Sequence, residues 1–146
     1  MGVTTGDFIA SFLPASPPLG GALPLWIGFS TVLSVFNTVQ CFISPKLNKR
    51  IYSKRPHEVS PLASRLFGMW TLLAAVLRLT TAYDVTSQPL YDMTLVSYVF
   101  AFSHFFSELF IFRTCSIGPG VLSPLVVASI STYWAYTQRD YYLGLL

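Results

Sequence analysis

Four blocks of nearly unbroken apolar residues dominate this chain, and their length restricts its fold more than any other feature. They run over about residues 24–43, 62–83, 91–112 and 121–137. About 20 apolar residues in a helix rising ~1.5 Å each cover the ~30 Å hydrocarbon core of a bilayer. Each block is bounded by breakers. Pro45 closes the first, Ser60 and Pro61 offer an N-cap and first helical position to the second, and Gly118–Pro119–Gly120 turn into the fourth. Pro124 is expected in the first turn of that fourth helix, where a missing N–H costs little.

Charge makes a soluble reading difficult. Only 10% of the 146 residues are charged and 53% are hydrophobic, whereas soluble domains carry about 25% charged residues to solvate their surface. The sequence therefore predicts an all-α membrane protein, an antiparallel bundle of four transmembrane helices joined by short links. Residues 1–23 hold no Lys or Arg and are interrupted by Pro14, Pro17, Pro18, Gly20 and Gly21. They read as a flexible or interfacial leader rather than a signal peptide.

The basic residues set an orientation. Lys46, Lys49, Arg50, Lys54 and Arg55 follow the first helix and Arg113 follows the third, while the opposite side offers only Arg139. By the positive-inside rule the 1–2 and 3–4 loops are cytosolic and both termini luminal. The run KLNKRIYSKRP is a candidate for anionic lipid or partner docking. A net charge of +3 concentrated in one short loop gives no case for nucleic-acid binding. Cys41 and Cys115 make no disulfide framework.

Polar residues inside the apolar blocks need partners, because a charge facing lipid costs several kcal/mol. Arg65 and Glu108 lie at similar depth in antiparallel helices and are expected to pair. His104 is one turn from Glu108 on the same face, and Asn37 matches its depth, so Asn37, Arg65, His104 and Glu108 form a candidate intramembrane polar cluster. Arg78 is expected to snorkel to the luminal edge, with Asp84 or Asp92 as its partner. Packing glue is the leading reading of the cluster. A bound polar ligand or lipid headgroup, and acid–base chemistry by His104 and Glu108, are the alternatives. Dinucleotide, Walker, G-x-S-x-G and H-E-x-x-H motifs are all missing, so no catalytic residue, metal ligand or cofactor is assigned. Gly68, Ala74, Ala75 and Ala128 offer a weak small-residue seam for a homo-oligomer.

The stretches RLFGMWTLLAAVLR, SHFFSELFIFRT, SPLVVAS and YTQRDYY, in that order, together with SVFNTVQ and YSKRP, resemble the ergosterol biosynthetic protein 28 family over roughly residues 24–142. The resemblance implies a non-enzymatic scaffold of the endoplasmic-reticulum membrane. Such a scaffold tethers the sterol C-4 demethylation enzymes: an oxidase, a dehydrogenase/decarboxylase and a 3-keto reductase. The family's blocks fall here on Arg65, Gly68, Trp70, Thr71, Arg78, His104, Ser107, Glu108, Pro124 and Tyr141. Leu66 departs from the Thr common after this arginine. A sterol- or lipid-binding protein that passes intermediates between these enzymes is the alternative, with a pocket expected around Phe102, Phe105 and Phe106.

Overall fold

The computed structural model describes Pro14 and residues 20–145. The leader expected over 1–23 falls mostly outside the described residues. Among the described residues six helices make up the fold: α1 Leu23–Ile43, α2 Lys46–Ile51, α3 Pro61–Tyr83, α4 Gln88–Phe110, α5 Pro119–Thr137 and α6 Arg139–Tyr142. No strand occurs among the described residues. Among the described residues three helices, α1, α3 and α4, are long and apolar enough to cross a membrane. The fourth long helix, α5, has 19 residues, but its Ser, Thr, Tyr and Trp side chains dilute its hydropathy.

Local chemistry explains the boundaries. Ser60 caps α3, its hydroxyl accepting from the Ala63 N–H at 3.0 Å, and Pro61 follows where no N–H is needed. The helix expected from Tyr91 starts earlier, at Gln88, because Pro89 suits a first turn as well as a loop. It ends at Phe110, where the chain folds back and the Phe112 N–H reaches the Ser107 carbonyl at 2.9 Å. Likewise α5 begins at Pro119, which places Pro124 inside the helix rather than in its first turn. The basic run, expected to be loop, forms the short helix α2.

Side-chain bonds give the directions of the helices. The end of α1 meets the start of α3 through Ser64, whose hydroxyl donates to the Cys41 carbonyl at 3.0 Å. The end of α3 meets the start of α4 through Thr81 and Thr94, 2.7 Å apart. The Tyr91 hydroxyl, early in α4, donates to the Ala135 carbonyl late in α5 at 2.6 Å. Each of these neighbours runs antiparallel. The closest packing joins α1 to α3 and α4 to α5, so the molecule is two tight helix pairs set side by side. One apolar cluster closes the end holding the first residues of α1 and the last of α5, built on Leu23, Ile27, Tyr91 and Tyr142. A second closes the opposite end, built on Ile51, Phe105, Leu109, Cys115 and Val121.

Polarity is arranged inside out. Ser30, Thr31, Thr38, Ser64, Arg78, Thr81, Thr94 and Ser131 are buried. On α1 a stripe of Phe29, Val32, Phe36, Val39 and Ile43 faces outward, and on α3 a stripe of Leu62, Leu66, Met69, Leu73 and Val76 does the same. Water would penalise such a surface, whereas hydrocarbon would not.

Candidate functional site

The α1–α3 seam is held by hydroxyl groups at a close approach. A Cβ on Gly68 would lie 2.9 Å from the Cys41 Cβ and 3.1 Å from a Phe42 ring carbon. With no side chain there, Thr38 of α1 reaches both the Gly68 carbonyl at 3.2 Å and the Thr71 hydroxyl at 2.9 Å. Asn37 adds a longer bond to Thr71 at 3.4 Å. One turn on, the buried Asn48 of α2 donates to Ser64 at 3.2 Å and accepts from Cys41. The basic helix is therefore anchored into the seam by an amide. Interhelical hydrogen bonds of this kind average about 0.6 kcal/mol each in a membrane, so the ladder sets register more than it adds stability.

His104 sits in an aromatic cage beside a cavity. Its ring lies 5.2 Å from Trp70 and 5.2 Å from Phe105, and 6.0 Å from Phe67. Its Nε2 is 2.7 Å from the Tyr52 hydroxyl. Burial, and next the nearby Glu108 charge, push the Tyr52 phenol above its usual range. It thus stays protonated and can donate to His104 when the imidazole carries its proton on Nδ1. Glu108 is taken by the Thr114 hydroxyl in the loop that follows. Tyr52, His104 and Glu108 all line one cavity of about 480 Å³ at the α2 end.

Arg78 is the other buried polar centre. It is 7% exposed, its Nη1 donating to the Ser34 hydroxyl at 3.0 Å and its Nε to the Ser97 hydroxyl at 3.3 Å. The guanidinium lies 4.2 Å from the centre of the Tyr98 ring, a cation–π contact. Tyr98 in turn bonds Ser30 at 2.6 Å. Helical side chains lean toward the N-terminus, so this arginine, late in α3, brings its charge to mid-helix residues of α1 and α4. Arg78, Asn37, Thr71 and Trp70 line a second cavity, of about 720 Å³, between the helix pairs.

Two expectations about charge do not match this arrangement. Arg65 and Glu108 form no ion pair among the described residues; Arg65 is exposed and Glu108 turns toward its own loop. Arg78 does not snorkel either. Asp92, one of its two expected partners, is taken by Arg139, which donates to it from Nε at 2.7 Å and from Nη2 at 2.8 Å. Such a fork suits a guanidinium and a carboxylate. The structure thus brings His104 and Glu108 to one cavity, places Asn37 at the other and leaves Arg65 outside both. Of the residues expected to line a lipid pocket, Phe105 lines the larger cavity and Phe102 and Phe106 do not. Tyr52, Asn48 and Tyr98 were not singled out by sequence reasoning. Asn48 and Tyr52 were hidden in a run judged by its charge, and Tyr98 carries no signal that separates it from other membrane aromatics.

The remaining residues of interest pack internally. Ser107 bonds the His104 carbonyl at 2.9 Å, and Tyr141 stands edge-on to Tyr142 at 5.1 Å. Gly68, Ala75 and Ala128 are buried within the chain, so a seam between copies does not use them. Among the described residues no three His, Cys, Asp or Glu side chains gather as a metal site. The basic residues meet the next loop at one end: the Lys54 N–H donates to the Thr114 carbonyl at 3.0 Å, and the Ser116 N–H donates to the Ser53 hydroxyl at 3.3 Å. Lys46, Lys49, Arg50, Lys54, Arg55 and Arg113 are all exposed there.

Residues 23–133 match the family model described as Erg28 like protein. Ergosterol biosynthetic protein 28 of Candida albicans is 41% identical over 94% of this chain and 98% of its own length. The protein of the same name from Saccharomyces cerevisiae is 40% identical over 86% of this chain and 85% of its own. A human homolog is 39% identical over 73% of this chain and 76% of its own. No solved structure matches.

Proposed function

This chain belongs to the Erg28-like family, and from that premise we propose that it serves ergosterol biosynthesis as a non-enzymatic scaffold in the endoplasmic-reticulum membrane. In this reading α1, α3, α4 and α5 all cross the bilayer as an antiparallel bundle, with the α2 end cytosolic and both termini luminal. The enzymes held are those of sterol C-4 demethylation: the oxidase, the dehydrogenase/decarboxylase and the 3-keto reductase. Holding them side by side raises the effective concentration of each for an intermediate that is poorly soluble in water.

One observation carries this reading. The segment from α2 to Arg55 and the loop after α4 are bonded to each other into a single basic surface at one end of the helices. Six exposed cations occupy it, and Asn48 roots it in the α1–α3 seam. A rigid surface of that kind suits docking of membrane-anchored enzymes better than a free loop, because little ordering is required on binding. The Asn37, His104 and Glu108 residues then act in shape and register rather than in chemistry, with Tyr52 and His104 supporting the surface from below; the exposed Arg65 takes no part in that packing.

The test is co-isolation. Full-length protein is solubilised from microsomes in a mild detergent and recovered with its partners, beside a variant carrying Lys46→Glu, Lys49→Glu and Lys54→Glu. Recovery of all three enzymes with the native chain, and their loss with the variant at equal expression, is the expected result. Recovery of none of them with the native chain contradicts the scaffold. For His104→Ala and Glu108→Ala, assembly and sterol flux should fall together. Intact assembly with lost flux would instead mark an enzyme.

A further inference from the structure

We infer that the cavity between the two helix pairs binds an acidic amphiphile, its carboxylate on Arg78 and its apolar body extending toward α5. This deepens the lipid-binding alternative and stands independently of the tether.

Three observations meet here. The cavity measures about 720 Å³, inside the ~300–1,000 Å³ range typical of small-molecule sites. Its walls are mainly apolar, with Leu33, Ala101, Phe105, Val121 and Val127 among them, and one buried cation, Arg78, stands on its wall. Arg78 is bonded by two serine hydroxyls and a tyrosine ring, and among the described residues no carboxylate lies within ion-pair distance of it. Neutral hydroxyls solvate a guanidinium but do not neutralise it. A buried cation without a counter-ion is costly, and these hydroxyls satisfy only part of its N–H set. A carboxylate entering from the cavity would supply both the charge and the planar acceptor pair that guanidinium favours. The apolar walls then require that the acid be attached to a lipophilic body. Arg50 also lines the cavity, but it is exposed and already hydrated, so it gains less from an anion.

The test uses the full-length chain in phosphatidylcholine nanodiscs. The probes are cholesteryl hemisuccinate, cholesterol and oleate, and bound ligand is counted by native mass spectrometry over a titration. One hemisuccinate should bind per chain, at least about tenfold tighter than cholesterol, since a charge-assisted pair separates the two. Oleate binding comparably also supports the site, with a flexible body accepted. Arg78→Met should weaken hemisuccinate by about tenfold or more, while Arg50→Gln leaves it within about twofold. Because Arg78→Met risks misfolding, Val127→Phe serves as a second variant. It narrows the cavity from α5, which supplies none of the Ser34, Ser97 and Tyr98 partners of Arg78, and should also abolish binding. Equal affinity for cholesterol and hemisuccinate overturns the inference. So does loss of binding with Arg50→Gln but not Arg78→Met, or full binding by a folded Val127→Phe protein.

Discussion

A methyl group at Gly68 would press on Cys41 and Phe42 at 2.9–3.1 Å, and overpacking of that kind costs about 1–3 kcal/mol. Gly68→Ala should therefore lower the thermal midpoint measured in detergent, whereas Gly118→Ser should leave it unchanged. Nothing lies within 4 Å of a Cβ at Gly118, whose backbone is extended at an N-cap. Tyr52→Phe should lose the bond to His104 and about 1 kcal/mol, again read from the thermal midpoint. Cys115 is fully buried, and burial pushes its thiol up, so little reactive thiolate forms at neutral pH. In folded protein Cys115 should resist maleimide for as long as the fold persists and react on denaturation. Rapid labelling of the native chain would contradict the packing of that end. At this scale the sequence was only partly legible. The need for Arg78 to find partners could be read from its place in an apolar block. Its partners could not, because Ser34, Ser97 and Tyr98 carry no charge to search for and Asp92 was claimed by an arginine beyond the last long helix.

Among the elements, the four long helices were legible because apolar length and Pro or Gly breakers report them directly. Their ends drifted by up to three residues where a proline suits a first turn and a loop equally, as at Pro89 and Pro119. The short basic helix was not legible. Its charges argue for a solvated loop, and only the burial of Asn48 at 1% and Ile51 at 8% reveals that one side faces protein. The two-by-two pairing was also hidden, since it depends on which small residue lets which backbone approach. The hydroxyl ladder makes a testable claim at this scale. Thr38→Val and Thr71→Val, combined in a double-mutant cycle on unfolding free energy, should show a coupling near 0.6 kcal/mol. Additive effects would mean that the two threonines merely pack.

For the molecule as a whole, inverted polarity is the governing property. Hydroxyls, an amide and a guanidinium bond one another inside, apolar stripes face outward, and the exposed cations gather at the α2 end. If all four long helices cross the bilayer as proposed, the α2 segment and the loop after α4 share one side of the membrane, with the turn between α3 and α4 and the chain beyond α5 on the other. Accessible-cysteine labelling tests it most directly. Single cysteines replace Lys54, Arg113, Asp84 or Gln138 in a chain whose Cys41 and Cys115 are alanine, and sealed microsomes are treated with an impermeant maleimide. Positions 54 and 113 should label before permeabilisation, and positions 84 and 138 only after it. Labelling of 54 and 113 from opposite sides, or of 84 alongside 54 in sealed vesicles, would contradict it.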